Sequence, residues 1–163
     1  MSNFSNSGYP VYRIENKMSI ADPEMPSPRY HNTIFIETWE DSHKSGRTCH
    51  VIGDLVTGMV YNTRIDQDPE LDTMFFAKHF LGVLKVEDYP DKLDGILKAL
   101  PLPKKQRSFN PKTMRTEQHK SPGVFYEPGE ERPPMVKCTE WTLNQAIPAL
   151  VEAGILIQTS EPS

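Results

Sequence analysis

With 163 residues, the chain is long enough for one domain with a buried core, and two independent domains are not expected. Charged residues at 25% and hydrophobic residues at 37% are those of a soluble globular protein, and the formal charge of -4 comes without a basic stripe for nucleic acid. No apolar run approaches the ~20 residues of a membrane span, and Met1–Tyr9 lacks the apolar core of a signal peptide, so a cytoplasmic protein with two free thiols is expected.

Proline is over-represented, 15 residues against the ordinary ~5%, in clusters at 23–28, 101–111 and 122–134 that mark long connections between elements. Residues 1–29 read as an extended N-terminal arm, in which the alternation of Val11–Ile14 suits a short edge strand while Pro23, Pro26 and Pro28 forbid a helix. Residues 30–163 read as a single α+β domain. Thr33–Trp39 is dense in β-branched and aromatic residues, a strand signal; Asp41–Gly46 is a polar turn. Arg47–Ile52 and Gly58–Thr63 are two further strands, and the short links predict an antiparallel meander. Ile65–Asp72 is loop-like, and Met74–Val86 is strand-like towards its end.

Pro90 suits a first helical position, with Asp88 beside it as a cap. Leu93, Ile96, Leu97 and Leu100 then fall on one face of a helix that Pro101 and Pro103 stop. Residues 101–135 form a Pro-rich loop with little periodicity beyond a short strand at Gly123–Tyr126; a loop of this length suits a lid or a partner surface. A last helix opens at Cys138 with Leu143, Ile147, Leu150 and Val151 on one face, kinks at Pro148 and stops at Gly154, followed by a closing strand at Ile155–Ile157. The pattern predicts an antiparallel β-sheet with packed helices.

Cys138 is the most informative residue. In the first turn of a helix a cysteine meets the positive end of the macrodipole and N–H groups without intrahelical partners, and both favour the thiolate that attacks carbonyl carbon. Such a nucleophile needs a base, and the base needs a third group to hold its tautomer. His31 stands just before the first strong strand, and His50 lies within the second, sharing a face with Thr48 and Ile52 while Cys49 and Val51 point the other way. A hairpin centred on residues 40–46 would set His31 about four pairs from His50, so contact between them requires a bulge or a shifted register. Cys49 is mid-strand without a dipole and ranks below Cys138 as a thiol nucleophile; His43 lies in a polar turn, and Glu117 and Glu140 are exposed acids that can assist. His31, Cys49, His50 and Cys138 are zinc-ligand types without zinc-site spacing, and neither a metal nor a cofactor is expected.

The run His31-Asn-Thr-Ile-Phe-Ile36, then Thr48-Cys-His50, then Cys138-Thr-Glu-Trp141 on a helix resembles the circularly permuted papain-like fold of lecithin:retinol acyltransferase-like proteins and NlpC-type peptidases. The resemblance implies His31 as base, His50 as the orienting third member and Cys138 as nucleophile. It implies Trp141 as the aromatic packed behind the nucleophile, with Trp141 and Tyr30 bordering the substrate. Asn32 and Lys137 depart from the aromatic after the first His and the Asn before the Cys that the family carries. The chain also resembles a group of small uncharacterised fungal proteins. Two functions follow as expectations. One is a Cys–His hydrolase or acyltransferase acting on an amide, ester or thioester of a small-molecule or peptide substrate. The other is a non-catalytic binding protein on the same fold that uses the Pro-rich segment.

Overall fold

The computed structural model describes residues 8–18, 25 and 28–161. In chain order its elements are β1 (Tyr9–Lys17), β2 (Tyr30–Glu37), β3 (Gly46–Asp54), β4 (Gly58–Asp66), β5 (Phe75–Leu84), α1 (Asp91–Lys98), β6 (Arg107–Asn110), β7 (Arg115–Ser121), β8 (Val124–Phe125), α2 (Cys138–Trp141), α3 (Ile147–Glu152) and β9 (Leu156–Ile157). A six-stranded sheet runs β4-β3-β2-β1-β5-β9 with antiparallel neighbours throughout, and β6-β7-β8 form a separate three-stranded sheet. The class is α+β. Among the described residues no helix is long and apolar enough to cross a membrane.

Ile34, Phe35 and Ile36 of β2 are all fully buried, so both faces of the sheet are covered at its centre. Ile34 and Ile36, with Val11, Cys49 and Val51, face the helices and pack on Leu93, Leu97, Trp141 and Leu150. Phe35 faces the other way, onto Tyr12 and Ile14. The turn into β3 is fixed by Gly46: a Cβ there would lie 2.0 Å from the carbonyl oxygen of Ile36.

The strand expected at an edge is interior. β1 pairs with β2 on one side and β5 on the other, because Val11, Tyr12 and Ile14 supply apolar side chains to both faces. The 101–135 segment is more ordered than its composition suggests: it forms three short strands, two of them polar, and is tied by side chains such as Gln106, which bonds both backbone groups of Val136 at 2.7 and 2.8 Å. The last helix also departs from expectation. Between α2 and α3 the chain makes a π-helical turn, Thr142–Ala146, directly before Pro148, whose nitrogen cannot donate to the preceding turn. The wider turn rotates the face, so Ala146 and Leu150 are buried while Leu143, expected inside, is 41% exposed.

α1 is fastened to the sheet by a polar tie. Asp94 accepts from the Arg47 guanidinium and, at 2.9 Å, from the Tyr61 hydroxyl.

Candidate active site

Lys137 is extended and the helix begins at Cys138, as the sequence predicts. The backbone N–H of Lys137 donates to Glu140 Oε1 at 2.8 Å, which closes the first turn. The other side of that carboxylate is clamped by Arg29, whose two terminal nitrogens reach Glu140 at 2.6 and 3.0 Å. Thr139 continues the seam: its hydroxyl accepts from Asn32 Nδ2 at 2.9 Å and donates to the Tyr30 carbonyl at 3.3 Å. The start of β2 and the start of α2 are therefore held together, and Asn32 is one of the stitches. The result is that the Cys138 thiol lies close enough to the His31 ring and the backbone N–H of Asn32 for both to favour its thiolate.

The register of the β2–β3 hairpin brings the histidines together. Ile34 is opposite Cys49, which extends to Thr33 opposite His50, so His50 is only one same-face step from His31. The separation of about four pairs expected from the loop length is corrected by the turn, which closes with Gly46 opposite Glu37. His31 Nε2 is 3.1 Å from His50 Nδ1, and His50 Nε2 is 3.3 Å from Oδ1 of Asn62, its direct partner on β4. The amide oxygen only accepts, so His50 carries its proton on Nε2 and presents a bare Nδ1. His31 must then donate from Nε2, and its Nδ1 is left to take the thiol proton. Four side chains form one directed relay: Cys138, His31, His50, Asn62.

The electrostatics agree with this polarity. Burial pushes the Cys138 thiol up, but the hydrogen bond and charge of His31, the Asn32 N–H and the Arg29 guanidinium outweigh it and hold the thiol below its ordinary value. His50 is 1% exposed, and its burial, with His31 and Arg64 nearby, brings its pKa down to about 4, so it is neutral at pH 7. Cys49 is the opposite case: buried in the core, its thiol is pushed up to about 12.

The remaining candidates are dispersed. Trp141 is fully buried, its ring 6.0 Å from that of Tyr61, so it packs behind the nucleophile and is not available to border a substrate. Tyr30 is half-buried and stacks on Phe76 at 4.1 Å. His43 lies against Trp39, Glu140 is held by Arg29, and Glu117 accepts from Asn110 and Thr113 in the β6–β7 hairpin. Cys49 is on the other face of β3 from His50, so the four residues of the zinc-ligand types do not converge. Sequence reasoning missed Asn62 and Arg29. Asn62 lies on a strand that alternation identified, but its role depends on cross-strand register, which alternation does not give.

The model of a family of unknown function, DUF6540, matches residues 18–157, and the chain belongs to that family. No curated protein and no solved structure matches the chain.

Proposed function

We propose that this protein is a cytoplasmic cysteine hydrolase or acyltransferase of permuted papain-like, NlpC-type fold, acting on an amide, ester or thioester. The observation that carries the reading is the directed relay from Cys138 through His31 and His50 to Asn62. His31 Nδ1 takes the proton of Cys138, and the thiolate attacks the substrate carbonyl. The tetrahedral intermediate collapses as His31 returns that proton to the leaving group, which leaves a thioester on Cys138. Water or a second acceptor, deprotonated by His31, then releases the acyl group. His50 remains neutral throughout, fixing the His31 tautomer and accepting its Nε2–H most strongly when the ring is an imidazolium. The N-terminal N–H groups of α2 are the natural donors to the oxyanion.

Intact mass after incubation with p-nitrophenyl acetate tests the reading. An acetyl adduct confined to Cys138 and lost in His31→Ala is expected. Equal labelling of Cys49 and Cys138, indifferent to His31, would remove it.

A binding protein is the second reading. The observation in its favour is a 490 Å³ cavity built by the Pro-rich segment, with Pro103, His119, Tyr126, Pro133 and Pro134 among its walls. That reading is selected if the protein forms no acyl adduct while ligand binding is lost on proteolysis within 104–135.

A further inference from the structure

The cavity built by the Pro-rich segment shares no residue with the Cys138 relay, and its 490 Å³ lie within the range of small-ligand sites. Apolar walls around an open space forfeit their contacts, so something must keep them apart. Three buried side chains do so. Gln106 bonds both backbone groups of Val136 and, at 3.1 Å, the carbonyl of Lys104. The Nε2–H of His119 donates to the carbonyl of Lys105 at 3.1 Å, and its Nδ1 then accepts from the Ser108 hydroxyl at 2.8 Å. Gln118 Nε2 donates to the carbonyl of Pro133 at 2.8 Å. The backbone at Lys104, Lys105, Pro133 and Val136 is thereby fixed, and all four residues line the cavity. These donors are spent within the protein, so a ligand is selected by the surface and charge of the remaining lining.

That charge runs against the rest of the molecule. The chain carries -4, yet Lys104, Lys105 and Lys120 line the cavity and no carboxylate does. Lys120 is answered by Glu130, Nζ to Oε2 at 2.5 Å. Lys104 and Lys105 are exposed and make no ion pair among the described residues. The surface between the cations is apolar and stiff: four proline rings, with the flat face of Tyr126. Lys120 and Arg132 lie 5.4 and 5.7 Å from the centre of that ring, which adds to the positive surroundings. A neutral apolar ligand would leave the ammonium groups unanswered. An inorganic anion would leave the prolines and Tyr126 unused, and a cation would be repelled. An organic anion with a flat apolar body answers both parts of the lining.

We propose that this cavity is a binding site for a small aromatic carboxylate, its ring among Pro133, Pro134 and Tyr126 and its charge paired by Lys104 and Lys105. The proposal rests on the reading of this cavity as a ligand site and is independent of the chemistry of Cys138.

The test compares three probes of one shape: 2-naphthoate, its neutral isostere 2-naphthamide and the cation 2-naphthylmethylammonium. Each is titrated calorimetrically into the full chain at low ionic strength, and amide chemical shifts locate the bound probe. The naphthoate is expected to bind about tenfold more tightly than the naphthamide, the worth of one charge-assisted contact, and the cation least. Added salt should shrink that advantage, since the two lysines are exposed. Lys104→Gln combined with Lys105→Gln should erase the advantage while leaving the naphthamide affinity unchanged. Tyr126→Ala should weaken both probes alike. Equal binding of naphthoate and naphthamide in the cavity overturns the choice of an anion and leaves the cavity a ligand site. An advantage that survives the double lysine variant overturns the role of Lys104 and Lys105. If none of the three probes shifts the residues of the cavity, the ligand-site reading and the proposal fall together.

Discussion

His31 Nε2 and His50 Nδ1 are 3.1 Å apart, and only one of those two nitrogens carries a proton. Asn62 decides which. Its amide oxygen takes the Nε2–H of His50, so the shared proton belongs to His31 and Nδ1 is the His31 nitrogen left to act as a base. A residue with no contact to the thiol therefore sets the polarity of the pair that touches it.

Replacing Asn62 with Leu should release His50 to take either tautomer and slow acylation of Cys138 on the order of tenfold, the worth of one positioning hydrogen bond. Asn62→Asp keeps the acceptor and should retain most of the rate. The rates are read from the p-nitrophenolate burst, with the thermal midpoint as control. Equal losses in both variants would show that the residue acts only through packing.

Burial of His50 makes stability depend on pH. Its folded pKa, about 4, lies below the unfolded value of 6.5. Between those values the unfolded chain binds the extra proton, so stability falls as pH falls through the window and is unaffected by this group above 6.5. The full effect is roughly 3 kcal/mol by pH 4, discounted where the ring relaxes. Urea unfolding of the wild type and His50→Gln at pH 7 and pH 5 measures it: the gap between the two proteins should narrow at pH 5. A gap that is unchanged would mean that His50 is solvated in the folded state.

Much of this arrangement is legible in the chain. Helix starts announce themselves locally, and Cys138 before an apolar face at helical spacing is such a signal. The strand runs of residues 33–36 and 47–52 are equally plain. Register is not local. It was the closure of the turn at Gly46, where backbone contact excludes any side chain, that brought His31 to His50. Nor was the 101–135 segment readable, because β6 and β7 are held by polar ties such as Ser108 to His119 at 2.8 Å, not by alternating apolar residues. Leu143 reads as a core residue under a regular helical period; the π-turn before Pro148 breaks the period.

The tie between Arg47, Asp94 and Tyr61 links α1 to the strand that carries His50. Asp94→Ala leaves a largely buried guanidinium without its carboxylate, with the Thr63 hydroxyl still accepting from it, and a phenol without its acceptor, and should destabilise the fold by about 3 kcal/mol. Tyr61→Phe removes one donor and should cost about 1 kcal/mol. Both are read from denaturant midpoints at pH 7. A Tyr61→Phe effect as large as that of Asp94→Ala would place the energy in the phenol and not in the ion pair.

The two thiols provide the last prediction, because the same residue type occupies opposite environments. Cys49 is fully buried among apolar neighbours, which pushes its thiol up to about 12. Cys138 is 2% exposed, and burial alone would raise it too; His31, the Asn32 N–H and Arg29 reverse the sign. Alkylation by iodoacetamide should therefore modify Cys138 alone in the folded protein, with a rate that rises with pH through an inflection below the ordinary thiol value of 9.0. In His31→Ala the largest favourable contact is gone while burial remains, so the inflection should move above that value and the rate at pH 7 should fall at least tenfold, one pH step of thiolate population. Arg29→Gln removes a more distant charge and should move it less. Peptide mapping separates the two cysteines. An inflection that stays put in His31→Ala would assign the activation to the helix terminus alone and take the imidazole out of the thiol's chemistry.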